Sequence, residues 1–384
     1  MFVLTRRRWA VVSLAVVLAA ALVTGAVWLF AVRDGGGTSS PTDHATTSVT
    51  PGPSSTLGGE PTPTSTTATT TTVRVYFHRG SADADQVEAV TRTVPRTAMP
   101  ATAALGQLLA GPTEAERAAG YTSFFSARTA GTLHRLTVEN GVAYADFADL
   151  RQIIPNASSS YGSAALLAEL NATLRQFSTV RSTIYSFDND AVAFYSWLQL
   201  VTPRVEGTNA VAGVYAARQF LADVAGMTDP AGTAFRVVGA DNAEVDVYPR
   251  SENGAPVKAA VTTVSLRRGT ASWSVTGAAT ATIVVDEPAR AATVVSPLRV
   301  RGRALAFEGT VAVQVLGGPE AAVKRLGEGF VTGGGDVSRP FEGSVSFSPR
   351  PSERGWVVFA ERSARDGSVW RLTAVPVLFG PSSQ

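Results

Sequence analysis

Arg6, Arg7 and Arg8 stand directly in front of a charge-free apolar run from Trp9 to Val32. A run of this kind has one stable spanning conformation in a bilayer: a helix of about 20 apolar residues crosses the hydrocarbon core with its backbone groups bonded internally. Arginines ahead of the span hold that end in the cytoplasm. The pattern predicts a cytoplasmic basic tail over residues 1–8, a transmembrane helix over 9–32 and an extracytoplasmic remainder. The alternative is a cleaved secretory signal, with a shorter apolar stretch from Val11 to Val23 and small residues at Thr24-Gly25-Ala26, which would leave a secreted chain. Continuation of the apolar run through Val27, Trp28, Leu29 and Phe30 favours the anchor.

Residues 33–72 hold almost nothing that can be buried; Pro, Thr, Ser and Gly dominate, which predicts a disordered tether. The chain has 384 residues and no cysteine. An exported chain without cysteine has no disulfide staples, thiol chemistry or cysteine-ligated metal, so its domains stand on packing. The net charge of +2 divides into +1 over residues 1–72, −1 over 73–200, 0 over 201–283 and +2 over 284–384, so no segment carries the basic excess of a nucleic-acid binder.

After the tether the periodicity changes. Val73–His78 alternates as a strand, and Pro100–Leu109 reads as a helix opened by proline and stopped before Gly111-Pro112. Leu133–Glu139 and Val142–Phe147 alternate around Asn140-Gly141, the strongest short hairpin signal. Ser163–Phe177 carries Leu166, Leu167, Leu170 and Leu174 at helical spacing, and Val180–Phe187 closes as a strand. The order strand, helix, strand, strand, helix, strand predicts one sheet with both helices on one face. Residues 205–280 read as a smaller α+β unit: a helix from Asn209 to about Ala225, then strands over Phe235–Val238, Ala243–Tyr248, Val261–Arg267 and Ser272–Thr276. Helix followed by meander is distantly similar to nuclear-transport-factor-like folds. Over 282–380, seven short alternating runs without a helix predict a β-sandwich.

Two stretches resemble known families. Pro100-Ala-Thr-Ala-Ala-Leu, Leu108-Leu-Ala-Gly-Pro-Thr-Glu-Ala-Glu, Gly120-Tyr, Asn140-Gly-Val-Ala-Tyr-Ala-Asp-Phe and the helix Leu167–Phe177 resemble the GerM-type sporulation and germination domain over residues 73–200. Val295-Ser-Pro-Leu-Arg-Val-Arg-Gly-Arg-Ala, Phe307-Glu-Gly-Thr-Val-Ala-Val-Gln-Val, Pro340-Phe-Glu-Gly and Ala364-Arg-Asp-Gly resemble the immunoglobulin-like domain of bacterial spore-germination proteins. The resemblance implies a binding role in the bacterial cell envelope, because GerM-like domains resemble the ring-building modules of envelope-spanning assemblies. The expected fold is therefore multidomain α+β plus all-β.

Chemistry-bearing residues are sparse. His44, His78 and His134 show no metal-ligand spacing and read as ordinary surface histidines. Asp146 and Asp149 follow a strand, where acid and base roles compete with turn capping. Asp188-Asn189-Asp190 starts like a calcium loop but lacks its later Gly and Glu, so it reads as a tight turn. Gly317-Gly318 and Gly333-Gly334-Gly335 read as sandwich turns. Phe307, Glu308, Trp356, Trp370 and Phe379 fit a binding face or, more simply, the sandwich core. The recognition candidates are Gly111, Pro112, Glu114, Tyr121, Phe124 and Phe125, on a loop of aromatic residues between the first helix and the hairpin. No cofactor, metal or catalytic set is expected. Besides the membrane, the expected partners are envelope proteins or, alternatively, peptidoglycan. A wall-acting hydrolase built on Asp146 and Asp149 is the remaining reading.

Overall fold

The computed structural model describes residues 69–80, 83–318, 320, 323–348 and 353–381. The expected transmembrane helix and nearly all of the expected tether lie outside them; among the described residues no helix is long and apolar enough to cross a membrane. The end of the expected tether is corrected, since Thr70 already opens the first strand. The described chain is mostly β with a few helices.

Strands β1 (Thr70–Arg79), β2 (Glu88–Pro95) and β3 (Tyr121–Thr122) form one sheet in the order β2-β1-β3. Strands β4 (Leu133–Glu139), β5 (Val142–Phe147) and β6 (Ser182–Phe187) form another, antiparallel at the hairpin and parallel between β5 and β6. Asn140 and Gly141 have φ of 52° and 83°, the left-handed pair that a two-residue hairpin turn requires. Helices α1 (Pro100–Leu109), α2 (Glu114–Ala118), α3 (Ser160–Arg175) and α4 (Ala191–Trp197) complete this part. Leu105, Leu108, Leu166, Leu170 and Leu174 are buried with Val75, Phe77, Phe147, Tyr185 and Phe194 in one core. The predicted single sheet is thus corrected to two three-stranded sheets sharing that core. The unpredicted β2 is an edge strand that buries only Val94, so its sequence carries little apolar alternation.

Helix α5 (Ala210–Asp223), capped by Asn209, lies over the antiparallel meander β7 (Ala231–Val237), β8 (Asn242–Tyr248), β9 (Thr262–Arg268) and β10 (Trp273–Ala279). The remaining strands are β11 (Ile283–Glu287), β12 (Thr293–Val294), β13 (Leu298–Ala304), β14 (Thr310–Gly317), β15 (Lys324–Thr332), β16 (Arg339–Val345), β17 (Arg354–Arg362) and β18 (Val369–Phe379). The sheet β11-β13-β16 packs against β15-β14-β17-β18 around Val300, Val311, Val313, Phe341 and Phe359.

The middle segment does not bury a core of its own. Its meander continues into the sandwich through the pairing Ala278↔Ala374, making one nine-stranded sheet that ends at β7. The Phe220 and Trp356 rings meet edge to face with centroids 4.6 Å apart, and Val358, Leu372 and Ala374 join the same apolar cluster. From the other side Tyr144, Ile184 and Ala191 enter that cluster. The core of residues 205–280 is therefore built jointly with both neighbours.

Candidate functional site

Building from the β4–β5 hairpin, Glu139 at its tip reaches into the middle segment. Its carboxylate accepts from the Thr208 amide (3.0 Å), the Thr208 hydroxyl (2.8 Å) and the Asn209 side-chain amide (2.8 Å). Burial alone would raise its pKa, but these bonds outweigh burial and hold it below the usual carboxylate range. The Tyr144 hydroxyl donates to the Glu206 carbonyl beside it. A second tie is charged: the Arg218 guanidinium on α5 pairs with Asp190 at the N-cap of α4 and with Asp229 at 3.0 Å, and Arg250 meets Asp229 at 2.7 Å.

Beside the first tie lies a polar cleft of about 480 Å³, while Asp190 and Arg250 of the second tie line a neighbouring cavity of about 370 Å³. One wall of the cleft is β4 and β5 with His134, Arg135, Thr137 and Asp146; the other is Asn209, Val211, Phe235, Val237 and Arg268. Phe235 is set edge to face on Trp273 (5.5 Å), and the Arg268 guanidinium lies 5.1 Å over the same indole. Asp146 is buried and receives bonds from the Ser186 hydroxyl (2.6 Å) and the Asn189 amide (2.6 Å), with His134 Nδ1 3.7 Å away. Burial pushes its pKa up despite those bonds. Asp146 thereby holds the turn in which Asp188 and Asn189 take φ of 49° and 68°. Asp149 instead pairs with Arg151 and lines the neighbouring cavity. The two carboxylates singled out as an acid and base pair thus line different cavities.

The six recognition candidates divide between framework and surface. Gly111 has φ of 75°, and a side chain there would overlap the Phe125 backbone. Phe125 belongs to the core, and Pro112 is buried. Glu114 is exposed, and Tyr121 and Phe124 are half-buried. Tyr121 lies under Arg79 at 5.1 Å, while Phe124 lines a cavity of about 230 Å³ with His78 and Tyr161. The expected loop also contains α2, whose capping box joins Thr113 and Glu116; the Glu116 carboxylate pairs with Arg92, which donates to the Gln107 and Gly111 carbonyls at 2.8 and 2.9 Å. Gly111→Ala should lower stability by more than ~1 kcal/mol in urea unfolding, because the φ strain and the overlap act together.

His78 corrects the expectation of a surface histidine. It is 5 % exposed, with Nδ1 2.8 Å from Glu169 Oε1 and Nε2 3.0 Å from the Ala84 carbonyl. The Ser123 hydroxyl donates to the other Glu169 oxygen at 2.6 Å. The bond to Glu169 raises the imidazole above its ordinary value despite burial, and burial pushes the Glu169 carboxyl up. Both groups hold protons more tightly when folded, so stability falls as pH rises. The His78 contribution is complete below 6.5 and is lost as pH passes through the raised folded value. Thermal unfolding should show that decline, and His78→Gln should flatten it. On the sandwich, Trp356 and Phe379 are buried, whereas Phe307 and Trp370 line a cavity of about 200 Å³ with Glu361.

Arg135, Thr208, Phe235 and Arg268 are cleft residues that sequence reasoning missed. They come from segments far apart in the chain; the one local signal was Asn209, marked only as a helix start.

Comparison with protein families gives two matches. Residues 74–191 match the family described as sporulation and spore germination, and residues 282–368 match the immunoglobulin-like domain of bacterial spore germination. The two matches follow one another in the expected order, and residues 192–281 lie outside both. No curated protein is significantly similar to the chain.

Proposed function

We propose that this chain is a germination-type binding and scaffold protein of the bacterial cell envelope, anchored by residues 9–32, that recruits a protein partner through the cleft between its first domain and the middle segment. The observation that carries this reading is the way Glu139, Tyr144 and Arg218 fasten the first domain to the middle segment, with an open polar cleft beside the Glu139 and Tyr144 contacts. Fixed walls suit recognition, since a preorganised site loses little freedom on binding. The Asp146 carboxyl serves the turn at Asp188-Asn189 in this reading, and the hydrolase reading loses its second acid because Asp149 lines another cavity.

The test is photo-crosslinking in native envelopes with the full chain, the crosslinker placed at Val237 on the cleft, at Tyr121 and, separately, at Phe330 on the sandwich. A defined protein attached at Val237 is the expected result. Attachment of wall fragments alone, together with co-sedimentation of the chain with purified peptidoglycan, would replace the reading with wall recognition.

A further inference from the structure

The free edge of β7 extends the cleft into a groove. In the order of the nine-stranded sheet β7 is terminal, and among the described residues its backbone pairs only with β8. Two cavities follow it in sequence: Ala231, Gly232 and Thr233 line the one of about 370 Å³, and Phe235 and Val237 line the one of about 480 Å³. The Asp188–Asp190 turn faces β7 across both, with Asp188 and Asp190 in the first cavity and Asn189 in the second. β7 has seven residues with a bulge at Ala234 (φ 50°), which divides its free edge into Ala231–Thr233 beside the first cavity and Phe235–Val237 beside the second.

The edge has the features of one that is covered in use. Val237 and Val238 are 64 % and 55 % exposed at its end, an apolar edge of the sort that isolated proteins protect. Beside them Arg135 and Arg268 line the groove without an ion pair or side-chain hydrogen bond among the described residues. Glu139, whose ionised form Arg268 helps to hold, is occupied by Thr208 and Asn209. Asp188 lies 3.4 Å from His134, and Asp149 and Asp190 are matched by Arg151 and Arg218. Arg135 and Arg268 are thus two guanidinium forks with no carboxylate within ion-pair distance among the described residues, and their geometry is shaped for one.

We propose that an extended, acidic segment of a partner protein adds a strand to β7 and places a carboxylate against Arg135 and Arg268. Strand addition supplies main-chain hydrogen bonds, while side-chain pockets on either side set specificity. This inference rests on the binding role above and names the form of its partner.

The experiment pans a displayed library of random peptides of about ten residues, long enough to cover one strand, on the full chain in detergent. Selected peptides should be rich in Asp and Glu, should slow hydrogen exchange of β7 amides, and should lose about tenfold or more in affinity for the double variant R135E/R268E. Arg325→Glu, on β15 at the opposite end of the nine-stranded sheet, should leave affinity unchanged and Arg135→Lys/Arg268→Lys should keep part of it. The same exchange measurement with soluble peptidoglycan fragments should leave β7 unprotected. An empty selection, acidic peptides indifferent to R135E/R268E, or protection of β7 by the wall fragments would overturn the proposal. Capture of a protein through Tyr121 or Phe330 alongside any of those outcomes would leave the scaffold role standing with a different site.

Discussion

Replacing Arg218 with Met should lower the free energy of unfolding by about 3–5 kcal/mol, the cost of leaving a buried charge without its partner. Both side chains are almost fully enclosed, at 3 % and 7 % exposure for Arg218 and Asp190, so water does not take over the lost contact. Asp190 would lose its charged partner beside the apolar cluster that includes Ala191, while its other oxygen still accepts the Ala193 amide at 3.0 Å and caps α4. The double variant R218M/D190N should recover most of the loss, because asparagine keeps the cap without the charge. Urea unfolding of the two variants measures the difference. A loss below about 1 kcal/mol in Arg218→Met would mean that the pair contributes as little as a surface ion pair.

Phe220→Ala is expected to cost about 3–5 kcal/mol through the cavity it leaves. Phe220 is 1 % exposed and stands against Trp356, so the void opens between the middle segment and the sandwich. The deletion should lower the stability of both together, as a single shifted transition in calorimetry. A variant in which the sandwich melts at its original temperature while an earlier step appears would show that the joint core does not couple them.

Local chemistry was the legible part of this fold. The hairpin of β4 and β5 is set by Asn140-Gly141 between alternating runs, and α1 begins at Pro100 with its apolar residues at helical spacing. In β13 every second residue is buried, as its sequence alternation indicates. The elements that escaped reading draw their state from neighbours. Helix α4 has too many aromatic and β-branched residues to announce itself, and is held by the Asp190 cap and by Phe194 among Tyr185, Phe187 and Trp197. His78 finds Glu169 across 91 positions, a pairing that no local pattern encodes. The cleft was illegible for the same reason. His134 and Asp146 were noticed for other chemistry, and Arg135 and Arg268 become neighbours of one space only after the middle segment docks on the hairpin.

The most direct test of the central claim compares one crosslink in two backgrounds. With the photo-crosslinker at Val237 in native envelopes, the full chain should capture a defined protein. The R135E/R268E chain should capture about tenfold less of it, with crosslinks from Phe330 unchanged. Equal capture from both chains at Val237 would contradict recognition through this groove.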